Sequence, residues 1–341
     1  MADFNVNHIT GKQGHQGTVL AGVTTVSSTG SMRIPSGPTE QRGGRGRGVL
    51  AGGYMAPALS ASYFLMNVVE IPTLGNATEF GYLAQFKGYD YQSGSATLAS
   101  STRGVVVGGS VQPTVAGTYK MQYYNFSSSG GTSDFGVLTG KTSHWMAGFS
   151  DGVRGVTAGG LGPSNVMEYI TIAANGDATD FGDLTTPCRL PSGASSPTRG
   201  IIFSGNNPGL LNNIDYATIA TTGNAQDFGD LTTAANPYAV SNSIRYVCVG
   251  NTSPATLNQN MIISSLGDTY KFGDLATSAQ GIIFSCSDPV RGVLGVLDGN
   301  NSSNIMQYIS FQTEGTAVDF GDLTQTVRNG GGASNAHGGL G

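Results

Sequence analysis

From about residue 45 onward, apolar and polar positions alternate in short blocks that recur six times. Each round opens on a nearly all-apolar run behind an arginine: Arg47-Gly48-Val49, Arg103-Gly104-Val105, Arg154-Gly155-Val156, Arg199-Gly200-Ile201, Arg245-Tyr246-Val247 and Arg291-Gly292-Val293. Such a run suits a strand buried on both faces, near the centre of an assembly of strands. An alternating segment follows, as in Asn165-Val166-Met167-Glu168-Tyr169-Ile170-Thr171-Ile172, and its period of two predicts a half-buried strand. Turn residues come next (Asn175-Gly176-Asp177, Thr222-Gly223-Asn224), then a strand carrying an aromatic. A Ser/Ala-rich stretch before each Arg, such as Ser192 to Ser196, completes four strands per round.

The aromatic strand fixes the period. Phe-Gly occurs at Phe80, Phe135, Phe181, Phe228, Phe272 and Phe320, at intervals of 55, 46, 47, 44 and 48 residues. From each Arg to the following Phe the distance is 33, 32, 27, 29, 27 and 29 residues, so the two phrases keep phase. The last four copies lengthen to Phe-Gly-Asp-Leu, supplying Asp183, Asp230, Asp274 and Asp322. Four strands in about 47 residues predict an all-β, six-bladed β-propeller of four-stranded blades.

The two ends of the repeat region predict how the ring shuts. The chain enters at Arg45–Arg47, past the place of a first strand. It runs out through Gly330-Gly331-Gly332-Ala333-Ser334-Asn335-Ala336-His337, which resembles Ser192-Gly193-Ala194-Ser195-Ser196-Pro197-Thr198-Arg199. Residues 330–341 are therefore expected to supply the missing strand of the first blade, leaving no open sheet edge. The division that follows is an extended arm over 1–42 and a propeller over 43–341. The layout resembles the Kelch family: an Arg turn, an apolar strand ending in Gly-Gly (Gly52-Gly53, Gly108-Gly109, Gly159-Gly160), a Tyr strand, then an aromatic strand. It departs from that family in carrying Phe where Kelch repeats carry Trp.

Composition narrows the possible roles. Gly is abundant (53 of 341 residues) without a collagen period, and only 11% of residues are charged. A net charge of −5 gives no general attraction to nucleic acid or to an anionic membrane. No segment reads as a membrane span or a signal peptide. Cys188, Cys248 and Cys286 are odd in number and lack CxxC spacing, so they read as apolar fillers of a chain made in a reducing cytoplasm.

The six Phe are expected to pack between neighbouring blades. The Gly after each would allow a bulge or a close backbone approach. The six Arg (Arg47, Arg103, Arg154, Arg199, Arg245, Arg291) admit two readings. They could form a ring that holds an anion, or they could serve structure by pairing with Asp183, Asp230, Asp274 and Asp322 or with backbone carbonyls; the structural reading is preferred.

Catalytic signals are weak. Thr179-Asp180-Phe181-Gly182 falls short of the Asp box of sialidase-type propellers, and the four His (His8, His15, His144, His337) are dispersed. No metal-ligand or cofactor motif stands out, and the chain reads as non-enzymatic. His144-Trp145 is the one unrepeated aromatic/imidazole pair, and a contact with a ligand such as a glycan is considered for it beside simple packing. Arg42-Gly43-Gly44-Arg45-Gly46-Arg47 reads as a cationic linker rather than a phosphate loop.

The arm contains two β-prone pieces, with Ile9, Val19, Leu20, Val23 and Ile34 as its apolar positions. Lying outside a closed ring, these pieces should pair with another protein by strand addition. Ile9-Thr10-Gly11-Lys12, Val19-Leu20-Ala21-Gly22-Val23-Thr24-Thr25, Ser28-Thr29-Gly30 and Arg33-Ile34-Pro35-Ser36-Gly37, together with the Asp-Phe-Gly-Asp-Leu repeats, resemble virion structural proteins of T4-like phages that infect marine cyanobacteria. That resemblance implies a virion component whose arm anchors to capsid, neck or tail proteins and whose propeller is displayed as a decoration. An alternative is a receptor-binding adhesin that reads host glycans at a propeller mouth for host attachment. A third, less favoured, is a sialidase- or lyase-type enzyme. No cofactor, nucleic acid or membrane partner is expected.

Overall fold

The computed structural model describes residues 46–53, 64–84, 92–111, 116–234, 236–250, 257–276, 281–297 and 302–340. The chain divides into two units, Met1–Arg45 and Gly46–Gly341. Ile9, Val19, Leu20, Val23, Ile34, His8 and His15 lie outside the described residues.

Gly46–Gly341 is an all-β, six-bladed propeller. Each blade is a four-stranded antiparallel sheet. From inside outward, blade 2 is Ala96–Ala99, Arg103–Val107, Lys120–Asn125 and Ser133–Val137. Blade 3 is Ala147–Ser150, Arg154–Ala158, Ser164–Thr171 and Thr179–Cys188. Blade 4 is Ser192–Ser195, Arg199–Phe203, Asn213–Thr218 and Gln226–Asp230. Blade 5 is Pro237–Ser241, Arg245–Gly250, Leu257–Ile262 and Tyr270–Asp274. Blade 6 is Gly281–Ser287, Arg291–Leu297, Ser303–Ser310 and Val318–Val327.

Blade 1 is composite. Arg47–Ala51, Leu65–Glu70 and Thr78–Tyr82 come from the start of the ring, and Gly331–Ser334 supplies the inner strand. The register is Gly48 with Ser334, Val49 with Ala333, Leu50 with Gly332 and Ala51 with Gly331. Six inner strands then touch in cyclic order, Gly331–Ser334 meeting both Ala96–Ala99 and Gly281–Ser287.

The strand at the axis is the Ser/Ala/Gly-rich one, and the apolar run behind Arg is second. The reason is space, since six strands converge there backbone to backbone. A Cβ at Gly193 would sit 2.7 Å from the Gly148 carbonyl oxygen of the neighbouring inner strand. The apolar strands need instead to be covered on both faces, and Val49, Val105, Val156, Ile201, Val247 and Val293 are all fully buried between adjacent blades.

The turn from inner to second strand is capped in the same way in every blade. The backbone N–H groups of Arg103, Arg154, Arg199, Arg245 and Arg291 donate to the side chains of Ser100, Asp151, Ser196, Asn242 and Asp288. In blade 1 the cap crosses the closure. Asn335 Oδ1 accepts from Gly46 N at 2.9 Å and Arg47 N at 3.0 Å, although 288 residues separate Arg47 from Asn335. Two distant segments thus rebuild a local turn.

Candidate ligand-binding mouth

The repeated side chains are spent on joining blades. Phe80, Phe135, Phe181, Phe228, Phe272 and Phe320 are all buried, each in a cluster that includes residues of the following blade. Phe181, for example, packs with Ala217 and Ile219 of blade 4. Strand pairing skips a residue at each Phe, so the ring projects from a β-bulge. The carbonyl oxygen of each Phe then accepts from a glycine N–H in the next blade's outer hairpin: Gly130, Gly176, Gly223, Gly267, Gly315 and, across the closure, Gly75. The glycine after Phe is required by this approach. A Cβ at Gly182 would lie 2.4 Å from the Gly223 carbonyl oxygen.

The arginines act across the same seam. Nη1 of Arg47, Arg103, Arg154, Arg199 and Arg291 donates to the backbone carbonyl of Phe126, Ile172, Ile219, Ile263 and Ile71 in the next blade, at 2.7–3.1 Å. Four of them lie over the tyrosine of their own blade, Arg103 closest at 4.1 Å from the Tyr123 centroid. Blade 5 has Asn260 at the tyrosine position; there Arg245 lies 5.8 Å from the Phe272 ring and its Nη1 has no hydrogen-bond partner. Of the two structural alternatives, carbonyl pairing is the one observed. Asp183, Asp230, Asp274 and Asp322 instead place their backbone carbonyls against the next hairpin, accepting from Ala225, Thr269, Ala317 and Ala77. The Asp274 carboxylate pairs with Lys271 at 2.9 Å.

A further set of residues repeats by position and role rather than by residue type. Asn67, Gln122, Glu168, Asp215, Gln259 and Gln307 sit in the third strands, all but completely buried. Each accepts from the residue just past Phe-Gly-x-Leu in the preceding blade: Ala84 to Gln122, Thr139 to Glu168, Thr185 to Asp215, Thr232 to Gln259, Ala276 to Gln307 and Thr324 to Asn67. Burial raises the pKa of Asp215, and the hydrogen bonds from Thr185 oppose that shift. A signal did exist, because the residue before each strand's tyrosine is polar (Gln122-Tyr123, Glu168-Tyr169, Asp215-Tyr216, Gln307-Tyr308).

The unrepeated chemistry gathers where the inner strands begin. A cavity of about 390 Å³ runs down the axis between them. Its far end is crossed by the segment after Ser334. His337 Nε2 lies 2.9 Å from the Ala99 carbonyl oxygen and 3.3 Å from Ser150 Oγ, while His337 Nδ1 accepts from Gly339 N. Gly338, Gly339 and Leu340 form a 3₁₀ turn there, with both glycines buried. The channel is therefore a cup with one mouth.

The mouth loops share a backbone feature. Two residues before each of four inner strands the chain takes a left-handed conformation: Gly94 (φ 65°), Trp145 (54°), Leu190 (57°) and Asn329 (55°). Trp145, Leu190 and Asn329 are the only non-glycine residues with positive φ among the described residues, and all three line the cup. A bulky aromatic held there is a conformational outlier of the kind found at functional sites.

Neighbouring elements hold Trp145 in place. Its N–H donates to the Gly94 carbonyl at 2.7 Å, and its indole lies where a Cβ on Gly94 would be. Behind it, a small sheet of Gln92–Ser93, Ser110–Val111 and Ala116–Gly117 extends blade 2 on the mouth side and backs Ser143 and His144. His144 is buried, 2.8 Å from Ser143 Oγ and edge-on to the indole at 5.4 Å; burial lowers its pKa. Of the pair singled out in the sequence, Trp145 faces the cup and His144 supports it.

Tyr238, Asn236, Arg328 and Leu297 also line the cup. Burial pushes the Tyr238 hydroxyl up to about 12, against the opposing pull of Arg328. Among the described lining residues there is no Asp or Glu. No group of His, Cys, Asp and Glu among the described residues has metal-site geometry, and none of their helices is long and apolar enough to cross a membrane. The three cysteines are free and buried, and burial raises their pKa, that of Cys188 to about 11. No family model and no curated protein matches the chain.

Proposed function

We propose that this chain is a non-enzymatic structural component of a phage particle, held by residues 1–42 and displaying the ring as a decoration of capsid or tail. The resemblance of the arm and of the Asp-Phe-Gly-Asp-Leu repeats motivates the virion assignment. The observation that carries the display reading is the polarity of the ring. Gly46, the first described residue of the ring, lies in the capped turn beside Asn335, at the end of the inner strands opposite the open cup. Attachment through that end of the ring is what the display reading requires. The test is a particle assembled with a chain lacking residues 1–42. The ring should fold and be missing from purified particles, whereas normal incorporation would sink the proposal.

A second reading, a receptor-binding adhesin, is favoured by one observation. Trp145 is held in a left-handed conformation at the mouth, where its indole offers a flat apolar face for a sugar ring.

A further inference from the structure

We infer that Asn329–Gly330 is a site of spontaneous deamidation whose product alters the mouth of the cup. The inference goes beyond both readings of function and depends on neither, since the reaction needs only this chain and water.

An asparagine followed by glycine closes most readily on its own backbone, because the glycine has no side chain to obstruct the attack. The chain has two such steps, Asn175–Gly176 and Asn329–Gly330. The ring locks the first. Asn175 Oδ1 accepts from Arg103 Nη1 at 3.1 Å, and Asn175 Nδ2 donates to the Asp134 carbonyl oxygen at 3.2 Å. Gly176 N donates to the Phe135 carbonyl oxygen at 2.9 Å. Both reacting groups there must first be released. At the second step, neither the Asn329 side chain nor the Gly330 N–H has a hydrogen-bond partner among the described residues. Both residues are also partly exposed.

In the reaction the Gly330 nitrogen bonds to Asn329 Cγ and gives up its proton, ammonia leaves, and a cyclic imide joins the two residues. Water then adds to one of the two imide carbonyls. Breaking the bond from nitrogen to Cγ restores the peptide, with aspartate in place of the asparagine. Breaking the bond from nitrogen to the original main-chain carbonyl carbon gives isoaspartate, with the chain running through Cβ and Cγ. Either product puts a carboxylate into a lining that has no Asp or Glu among its described residues. Isoaspartate does more. The Asn329 carbonyl oxygen accepts from Gly94 N at 2.9 Å, and the Gly94 carbonyl oxygen accepts from Trp145 N at 2.7 Å. In isoaspartate that first carbonyl leaves the main chain and the backbone gains a methylene. The bond that holds Gly94, and through it Trp145, is thereby displaced.

The full chain would be aged in mildly alkaline buffer, folded and in urea, and both steps followed by peptide mapping that separates asparagine, aspartate and isoaspartate. In the folded chain Asn329 should convert at least about tenfold faster than Asn175, which three intact hydrogen bonds hold back. In urea the two should convert at comparable rates. An Asn329 that persists, equal rates in the folded chain, or the same disparity in urea would overturn the assignment. The chain contains a single tryptophan, so its intrinsic fluorescence follows the consequence at the mouth without a label. Trp145 emission should shift in step with isoaspartate, and the aged Asn329→Gly variant, which cannot react, should keep its starting spectrum. An unchanged spectrum after most of Asn329 has converted would overturn the link to the mouth, as would an equal shift in aged Asn329→Gly.

Discussion

The two ends of the inner strands use the same backbone repeat for opposite purposes. Where the strands finish, a Ser, Asp or Asn caps every turn, down to Asn335 capping Arg47, and every seam carries the same bond from a hairpin glycine to a Phe carbonyl. Where they begin, the left-handed position also repeats, yet its occupants are Gly94, Trp145, Leu190 and Asn329. At the first end the side chain is the purpose of the repeat. At the second, only the backbone repeats and the side chain is left to vary. Function should therefore be sought where conformation is periodic and chemistry is not.

The contrast predicts a graded series of substitutions. The largest effect should come from Phe181→Ala, which empties the seam between blades 3 and 4. The expected cost is about 3–5 kcal/mol in urea unfolding. A value under about 1 kcal/mol would remove the Phe seams from the account. Next comes Asn335→Ala, which strips two N–H partners, one of them buried, at the closure. About 2 kcal/mol should be lost, and Asn242→Ala, which removes the equivalent cap within a continuous stretch of chain, gives the comparison.

Asp215→Asn should act through pH. Because burial raises the folded-state pKa of Asp215, the unfolded chain ionises first. The group's contribution to stability is full below the ordinary carboxylate pKa and is lost as pH rises through the raised value. The Asn variant should have a flatter stability profile across that window and should be the more stable protein above it. The profile retains some slope because burial also raises the pKa of Asp288. Asn67 shows that an amide can do the work, since its Oδ1 accepts from both Thr324 N and Thr324 Oγ1. The smallest effect should be Asn329→Gly at the mouth, within about 1 kcal/mol in either direction, because relief of the left-handed strain offsets the added freedom of the unfolded chain. A loss as large as that of Asn335→Ala would erase the distinction between the two ends.

The features visible in the sequence were those set by periodic chemistry. Phe-Gly, the Arg phrase and the tail after Gly330 each repeat a residue type, and together they lead to blades, phase and closure. The strand order within a blade was not legible in the same way. An all-apolar run such as Val105-Val106-Val107 suggests the centre, but the axis is too crowded for it, and covering both faces places that run second. The buried polar row was hidden because Asn67, Gln122, Glu168, Asp215, Gln259 and Gln307 do one job with four residue types. Of the mouth, His144-Trp145 stood out as a neighbouring pair. Asn236, Tyr238 and Arg328 did not, since they come from separate repeats and only the ring brings them round one cup. A left-handed Trp145 or Leu190 has no sequence signature, because tertiary contacts impose that conformation on residues that do not favour it.

The central claim is that six Phe-Gly seams and a composite first blade make the ring one cooperative body, with the mouth carried on it. Urea unfolding followed in one sample by far-UV circular dichroism and by Trp145 fluorescence tests it most directly. Trp145 reports on the mouth between blades 2 and 3, and circular dichroism reports on all six sheets. The account predicts coincident transitions with one midpoint. A fluorescence transition well below the loss of sheet structure, or a sheet signal lost in steps, would contradict it, because the blades would then be unfolding one by one as in an open array.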